Sequence, residues 1–213
     1  MARTYALDVQ AAKEANTGGK RITETGKYQG AITAAFYEKN EKGTESVNIM
    51  FASDNGQEVG PINLYTHNSS GEPIAGYKML NALMTCAKVK ALSWKTEALD
   101  LYDFNESKTV SKQKECCVEL KGKKIGLVLQ QEEYRKGNGD IGERMILAAP
   151  FEAGSELMAA EILAKITVPT ALGSFMSFIA KNPVRKLREG GVAPARQSGP
   201  IQDGPDFDDI PFD

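Results

Sequence analysis

The sequence predicts a mainly β fold: a small barrel or sandwich with one helix inserted in the middle and a helical segment towards the end. Several short segments alternate apolar and polar residues with period two, as half-buried strands do. Turn sequences and Gly-rich loops separate these segments. Strands and helices do not alternate regularly, which argues against a doubly wound α/β sheet. The 213 residues, 41% of them hydrophobic, suffice for one globular core.

The first half of the chain predicts a meander of three strands that follows a loosely structured arm over residues 1–25. The stretch KYQGAITAAFYEK alternates through Ile32 and Phe36, and ESVNIMFAS repeats the pattern through Ile49 and Phe51. INLYT is the third strand, and the turns NEKG and SDNGQ separate the three, the second with the hairpin dipeptide Asn-Gly. We expect Phe36 and Phe51 to lie in the core.

A helix is predicted to follow, because Pro73 suits the first turn of a helix. Its apolar stripe, spaced by three and four residues, consists of Tyr77, Leu80, Met84 and Ala87. Residues 91–113 show no clear period and are predicted to be irregular. The next segment, CCVELKGKKIGLVLQ, predicts two strands around KGKK, with Cys116, Val118 and Leu120 on one face of the first. KIGLVLQ is apolar on both faces, as a central strand is.

The C-terminal part of the body predicts one more strand and two helices. ERMILAAPF is the strand, and SELMAAEILAKI is predicted to be a helix with Ser155 as its N-cap. The last helix, PTALGSFMSFIAKN, carries an apolar stripe that would pack against the sheet or against a partner subunit. That stripe consists of Leu172, Phe175, Met176 and Ile179.

The composition changes near Gly190 and divides the chain into a domain over residues 1–190 and a tail over residues 191–213. The tail is rich in Gly, Pro, Ser and Asp, and such a segment buries too little apolar surface to fold, so we expect it to be disordered. It holds five acids after residue 196 and no base beyond that point, whereas the rest of the chain has a net charge of +3. A mildly basic body with an acidic end is typical of nucleic-acid binders that carry an interaction tail.

Composition argues against several other classes of protein. No apolar run approaches the roughly 20 residues of a membrane span, and the first residues lack the apolar region of a secretory signal. The cysteines, Cys86, Cys116 and Cys117, are predicted to be free thiols in a reducing cytoplasm. With His67 as the only histidine, we expect no zinc site, no cofactor and no catalytic triad, and hence no enzyme.

Aromatic residues interleaved with cations point to single-stranded nucleic acid. Such a groove needs cations for phosphates and flat rings for bases, and stacking on a ring accepts any base. The candidate binding residues are Tyr37, Lys39, Tyr65, Trp94, Lys95, Tyr102, Phe104, Lys121, Lys123, Lys124, Tyr134, Arg135 and Lys136. The preference for DNA or RNA stays open, because contacts at the sugar decide it.

The last residues, DFDDIPFD, resemble the acidic C-terminal tip of bacterial single-stranded DNA-binding proteins, in which an Asp-rich segment ends in Ile-Pro-Phe. The matching residues are Asp206, Phe207, Asp208, Asp209, Ile210, Pro211 and Phe212. Asp213 follows the phenylalanine here, whereas the family ends on it. The resemblance implies that the tail recruits replication or recombination proteins and competes with DNA for the basic groove.

The run TGKYQGAITAAFYEKNEKGTESVNIMFASDNGQ, with the later KKIGLVLQQEEY, is similar to a family of small phage replication and recombination proteins. This resemblance covers about residues 20–165. It implies an OB-type barrel that coats single-stranded DNA in the host cytoplasm during phage replication, recombination or repair. A recombination annealing or mediator protein is the nearest alternative, and an adaptor that binds no DNA is another. Self-association also stays open.

Overall fold

The computed structural model describes residues 6–7, 9, 21–103 and 106–187, and within them the chain is mainly β, as predicted. The strands are β1 (Gly26–Lys39), β2 (Glu45–Ser53), β3 (Glu58–His67), β4 (Trp94–Asp103), β5 (Lys108–Cys117), β6 (Lys124–Arg135), β7 (Ile141–Phe151) and the short β8 (Val184–Arg185). The helices are α1 (Ala75–Cys86), α2 (Ala159–Leu163) and α3 (Ala171–Lys181). The predicted domain boundary at residue 190 and the acidic tail lie outside the described residues.

The eight strands form one sheet that is antiparallel apart from the pair β6–β8. Its main path runs β3-β2-β1-β5-β4, while β6 pairs with β1, β7 and β8. The long strand β1 organises this arrangement, because β6 and β5 pair with successive parts of the same edge of β1. Its residues 26–31 pair with β6, and Phe36 and Tyr37 pair with β5. The sheet is not closed into a full ring.

Strand β6 separates two hydrophobic cores, which explains why its sequence is apolar on both faces. Ile125, Leu127 and Leu129 belong to the first core, beneath β1, β2 and β3. Val128 points the other way into a second core with Phe151 and the residues of α3. The interpretation of this segment as a central strand is confirmed.

Helix α1 covers the first core with Leu80, Leu83 and Cys86. The prediction that Tyr77 shares this buried stripe is wrong, since Tyr77 is 42% exposed. Its ring lies against His67 at the end of β3, with the ring centroids 5.3 Å apart. The first turn of α1 therefore reaches past the core, although the helical spacing of the stripe is correct.

The stripe on α3 packs inside the chain, against the second core, with Leu172, Phe175 and Ile179 buried. Of the two predicted roles for this stripe, packing against the sheet is confirmed. The prediction of Ser155 as a helix N-cap is wrong, because α2 begins only at Ala159. Glu156 has a positive φ and turns the chain back, so that Leu157 accepts a hydrogen bond from the Glu152 N–H before the helix starts.

Residues 91–113, predicted to be irregular, contain most of a two-stranded ribbon formed by β4 and β5. Its register runs from Trp94 opposite Cys117 to Asp103 opposite Lys108. Both faces of the ribbon are largely exposed, so its strands lack the apolar alternation that marks a half-buried strand. The prediction that Val118 and Leu120 extend this strand is wrong as well, since β5 ends at Cys117.

The cysteines are free, as predicted, and all three are buried. Burial raises the pKa of the Cys86 thiol to about 12, so this thiol stays protonated at neutral pH. No helix in the described part of the chain has the length and apolar character needed to cross a membrane.

Candidate nucleic-acid interface

The sheet β3-β2-β1-β5-β4 has one face towards the first core and a second face that we call the outer face. Phe36 lies opposite Asn48 on β2 and opposite Cys116 on β5, and these registers place all three on the outer face. The same alternation brings Tyr65 of β3 and Lys95 of β4 to this face, opposite Ser46 and Cys116. The strands of the outer face therefore carry one aromatic candidate and one cationic candidate from the sequence, and Lys121 joins them from the turn before β6.

The centre of the outer face is a partly buried polar cluster around Glu38. Lys114 forms an ion pair with Glu38 and lies over the ring of Phe36, with its Nζ 5.6 Å from the ring centroid. The amide of Asn48 donates a hydrogen bond of 3.0 Å to the same carboxylate. Phe36 is buried, as predicted, but beneath Lys114 and outside the first core. Sequence analysis missed Lys114, because only the pairing of β5 with β1 brings it here.

Two lysines converge on one carboxylate at the β4 side of the outer face. The Nζ of Lys121 lies 3.1 Å and the Nζ of Lys95 lies 3.7 Å from oxygens of Glu97. Hydrogen bonding from Lys121 and its charge, together with Lys95, lower the pKa of Glu97. One negative charge thus faces two positive charges, which leaves a local excess of one cation. Both lysine side chains are more than half exposed and can reach a phosphate.

The backbone of Tyr65 lies tightly against helix α1, and this contact fixes the residue on the outer face. A Cβ placed on Gly76 would meet the Tyr65 carbonyl oxygen at 2.2 Å. Only glycine permits this approach, so the first turn of α1 fixes the position of Tyr65 on β3. The side chain is half-buried and leaves part of the ring available for contact.

Tyr37 and Trp94 lie together on the opposite side of the sheet. Their ring centroids are 5.7 Å apart, and Trp94 is 39% exposed. Tyr37 faces the same way as Val47, a residue of the first core. Burial and the neighbouring Glu45 carboxylate raise the pKa of the Tyr37 hydroxyl. Lys39 also contacts Glu45, at 3.3 Å.

His67 and Tyr77 continue this line of rings, which we call the aromatic row: Trp94, Tyr37, His67 and Tyr77. The Nδ1 of His67 lies 3.8 Å from the Oε2 of Glu45, which links the two halves of the row. Sequence analysis did not select His67 or Tyr77 as binding residues. Only the strand register, in which Glu45 lies opposite His67, shows that these two rings continue the row.

A third group of candidates lies at the tip of the β6–β7 hairpin. The guanidinium of Arg144 lies 5.3 Å from the centroid of the Tyr134 ring, and Arg135 and Lys136 follow at the turn. The strands place this tip far from the aromatic row. Residue 26 of β1 pairs with Leu129 of β6. From this pair, Tyr37 lies eleven residues along β1, which corresponds to about 35 Å of extended strand. The tip of the hairpin lies beyond Leu129 in the opposite direction.

The remaining candidates are dispersed. Lys123 and Lys124 stand at the start of β6, where Lys124 pairs with Asp54 at 2.5 Å. Tyr102 lies exposed near the end of the ribbon. Phe104 and residues 206–212 are outside the described residues. The structure therefore brings Tyr65, Lys95 and Lys121 to one face, brings Tyr37, Lys39 and Trp94 together on the other, and separates the rest.

The described residues contain no group of three or more His, Cys, Asp or Glu side chains placed to hold a metal ion. No protein-family model matches the chain, and no curated protein is found to be similar to it.

Proposed function

We propose that this chain is a sequence-independent single-stranded DNA-binding protein of the OB type, without enzymatic activity, that coats single strands during phage DNA replication, recombination or repair. The order of its elements carries the proposal. OB folds are five-stranded, partly open Greek-key barrels. Strands β1, β2, β3, β6 and β7 provide five such strands, and α1 lies between the third and the fourth of them in the chain.

The pairing of the strands supports the same interpretation. Strand β1 pairs with β2 along one edge and with β6 along the other, and β6 continues into a hairpin with β7. Helix α1 packs between β3 and β7. On this view the ribbon β4–β5 is an insertion between the helix and the fourth strand of the barrel. The open sheet agrees with a barrel that is only partly closed.

The outer face is the proposed binding surface, because OB folds bind oligonucleotides on the face of their second and third strands and on the adjoining loops. Tyr65 supplies a ring for stacking, which is worth about 1–3 kcal/mol per base. Lys95, Lys114 and Lys121 supply the charge for phosphates, a contribution that weakens with salt. Tyr134, Arg135 and Lys136 lie on the β6–β7 loop, which corresponds to the second loop used by OB folds.

The acidic tail is proposed to recruit partner proteins of replication or recombination in the cytoplasm of the host. Its support is the resemblance of residues 206–212 to the tip of bacterial single-stranded DNA-binding proteins. Aspartates flanking Phe207, Ile210 and Phe212 suit a partner with a basic, apolar pocket. The tail can also occupy the basic surface when no DNA is present.

The test is a titration of a labelled oligo-dT strand and of a duplex of equal length, followed by anisotropy at two salt concentrations. We expect tight binding of the single strand alone, with an affinity that falls as salt rises. Binding of neither nucleic acid at low salt contradicts the proposal and favours the adaptor. Rapid pairing of complementary strands, in a parallel assay, favours the annealing protein.

A further inference from the structure

Strand β4 forms an edge of the sheet. In the described part of the chain it pairs with β5 alone. Its ten residues make it longer than an average strand, which has about 5–6 residues. An edge strand presents a row of unpaired N–H and C=O groups, and a second strand can pair with it.

The ribbon also carries apolar side chains that the described chain does not bury. Only its base is held, where Cys116 and Glu115 pair with β1. Farther out, Leu99, Leu101 and Val110 lie on the same face of the ribbon, and each is only half-buried. Leu101 stands directly opposite Val110. Three neighbouring aliphatic side chains on a projecting ribbon form an apolar patch that a strand added at the β4 edge can extend.

We propose that β4 pairs antiparallel with β4 of a second copy of this chain, about a two-fold axis at which Leu99 lies opposite its own counterpart. A two-fold interface uses the same strand from both subunits. In this register the copies of Leu99 and Leu101 are direct or diagonal neighbours across the new strand pair. The apolar cluster of each ribbon then continues into that of the other.

Charge and apolar contact together select this register among those that pair most of β4. With Leu99 on the axis, the two copies of Leu99 meet, and no like charges of β4 stand directly opposite each other. An axis at Glu97 or at Asp100 sets two like charges face to face. An axis at Ala98 also avoids like charges, but it sets Leu99 opposite Glu97 and Leu101 opposite Lys95, so that no two leucines are directly opposite.

The resulting dimer has one continuous sheet through the two ribbons. Because a residue and its counterpart across the axis share a face, the outer faces of the two copies lie on the same side. A single DNA strand that binds the outer face of one copy can then continue onto the outer face of the other copy. The dimer itself follows from the edge, the apolar cluster and the charges of β4, and does not depend on DNA binding.

The register is tested by disulfide formation under mild oxidation between variants that carry one added cysteine, beside the three native cysteines, which are buried. In the proposed dimer the two residues at position 99 are directly opposite, with Cβ atoms about 4.5–5.5 Å apart, close to disulfide geometry. The two residues at position 101 are offset by four residues, about 13 Å. We expect Leu99→Cys to form a covalent dimer and Leu101→Cys, the matched control, to stay monomeric under denaturing conditions. Equal crosslinking of both variants, or of neither, overturns the register.

The dimer itself is tested by light scattering of the full chain over a range of concentrations without DNA. We expect the mass of a dimer for the wild type, and a shift to monomer for Leu99→Lys, which places two cations on the axis. Gln113→Lys adds the same charge to β5, away from the β4 edge, and is expected to stay dimeric. Circular dichroism confirms that each variant is folded. A wild type that is monomeric at the highest concentration overturns the proposal, whatever the DNA titration shows.

Discussion

Tyr65 shows how a single side chain can locate the proposed binding surface. Replacing it with alanine removes the one predicted ring on the outer face, so we expect the affinity for oligo-dT to fall by about 1–3 kcal/mol. Phe178→Ala is the control, because Phe178 is an exposed ring on α3, the helix that packs on the second core. Affinities from labelled-strand anisotropy decide the matter. A loss of affinity in Trp94→Ala, with no loss in Tyr65→Ala, would place the bound DNA strand on the aromatic row instead.

Lys121 tests the electrostatic part of the same surface. Glu97 is shared by two lysines and does not fully neutralise the charge of Lys121. Lys121→Ala should therefore weaken the binding of all DNA sequences alike and reduce the slope of affinity against salt by about one. Lys78→Ala on α1 removes the same charge at an exposed helical position and should leave the slope unchanged. Equal slopes for both variants would remove Lys121 from the binding surface.

Glu161 is a buried carboxylate with a structural role. It accepts hydrogen bonds from the N–H groups of Met158, Thr170 and Ala171 and thereby fastens the start of α3 to α2. Burial raises the pKa of Glu161, but these hydrogen bonds outweigh burial, so the pKa is lowered.

The pH dependence of stability follows from this lowered pKa. The ionised carboxylate stabilises the fold above the pKa of the unfolded chain, about 4.3, and the contribution is lost as pH falls through the lower folded-state pKa. We expect Glu161→Gln to lose about 1–3 kcal/mol at pH 7 in urea unfolding. The difference from the wild type should shrink below about pH 4. A difference that is constant with pH would contradict the role of the charge.

At the scale of elements, two helical glycines differ in the space around them. Gly76→Ala drives a methyl group into the Tyr65 backbone, so we expect it to destabilise the chain by about 1–3 kcal/mol and to shift β3. Gly173→Ala lies in the first turn of α3, where a Cβ meets nothing within 4 Å, and should stabilise by about 1 kcal/mol. Thermal unfolding of both variants measures this contrast. Stabilisation by both would show that α1 does not press on β3.

The elements also show what local sequence can predict. The pattern of apolar residues identified β1, β2, β6 and α3, because each has one or two faces in a core and the apolar pattern follows the burial. The ribbon β4–β5 escaped prediction because its charged and apolar residues are spread over two exposed faces. Its strands are defined by pairing with each other, and that pairing leaves little trace in composition.

At the scale of the whole molecule, pairing between distant strands decides which candidate residues meet. Tyr65, Lys95 and Lys121 are separated by long stretches of sequence and share a face only because β1 pairs with both β2 and β5. A shift of one residue in either register would send them to opposite faces. Sequence reasoning could therefore select suitable residue types, but it could not separate the outer face from the aromatic row.

The balance of charge over the whole chain leads to the last prediction, on the acidic tail. Residues 203–213 contain Asp203, Asp206, Asp208, Asp209 and Asp213 and no base, so removing them changes the net charge from −2 to +3. If the tail competes with DNA for the outer face, its removal should raise the affinity for oligo-dT several-fold at low salt. The gain should fade as salt rises, because screening weakens the competition.

A second variant separates the charge of the tail from its apolar anchors. Replacing the five aspartates with asparagine keeps Phe207, Ile210 and Phe212 and removes the repulsion from phosphate. If charge alone drives the competition, this variant should match the truncated chain in anisotropy titrations at each salt concentration. A gain that only the truncation shows would assign the competition to the aromatic and aliphatic side chains. Unchanged affinity at low salt in both variants would leave recruitment of partners as the sole proposed role of the tail.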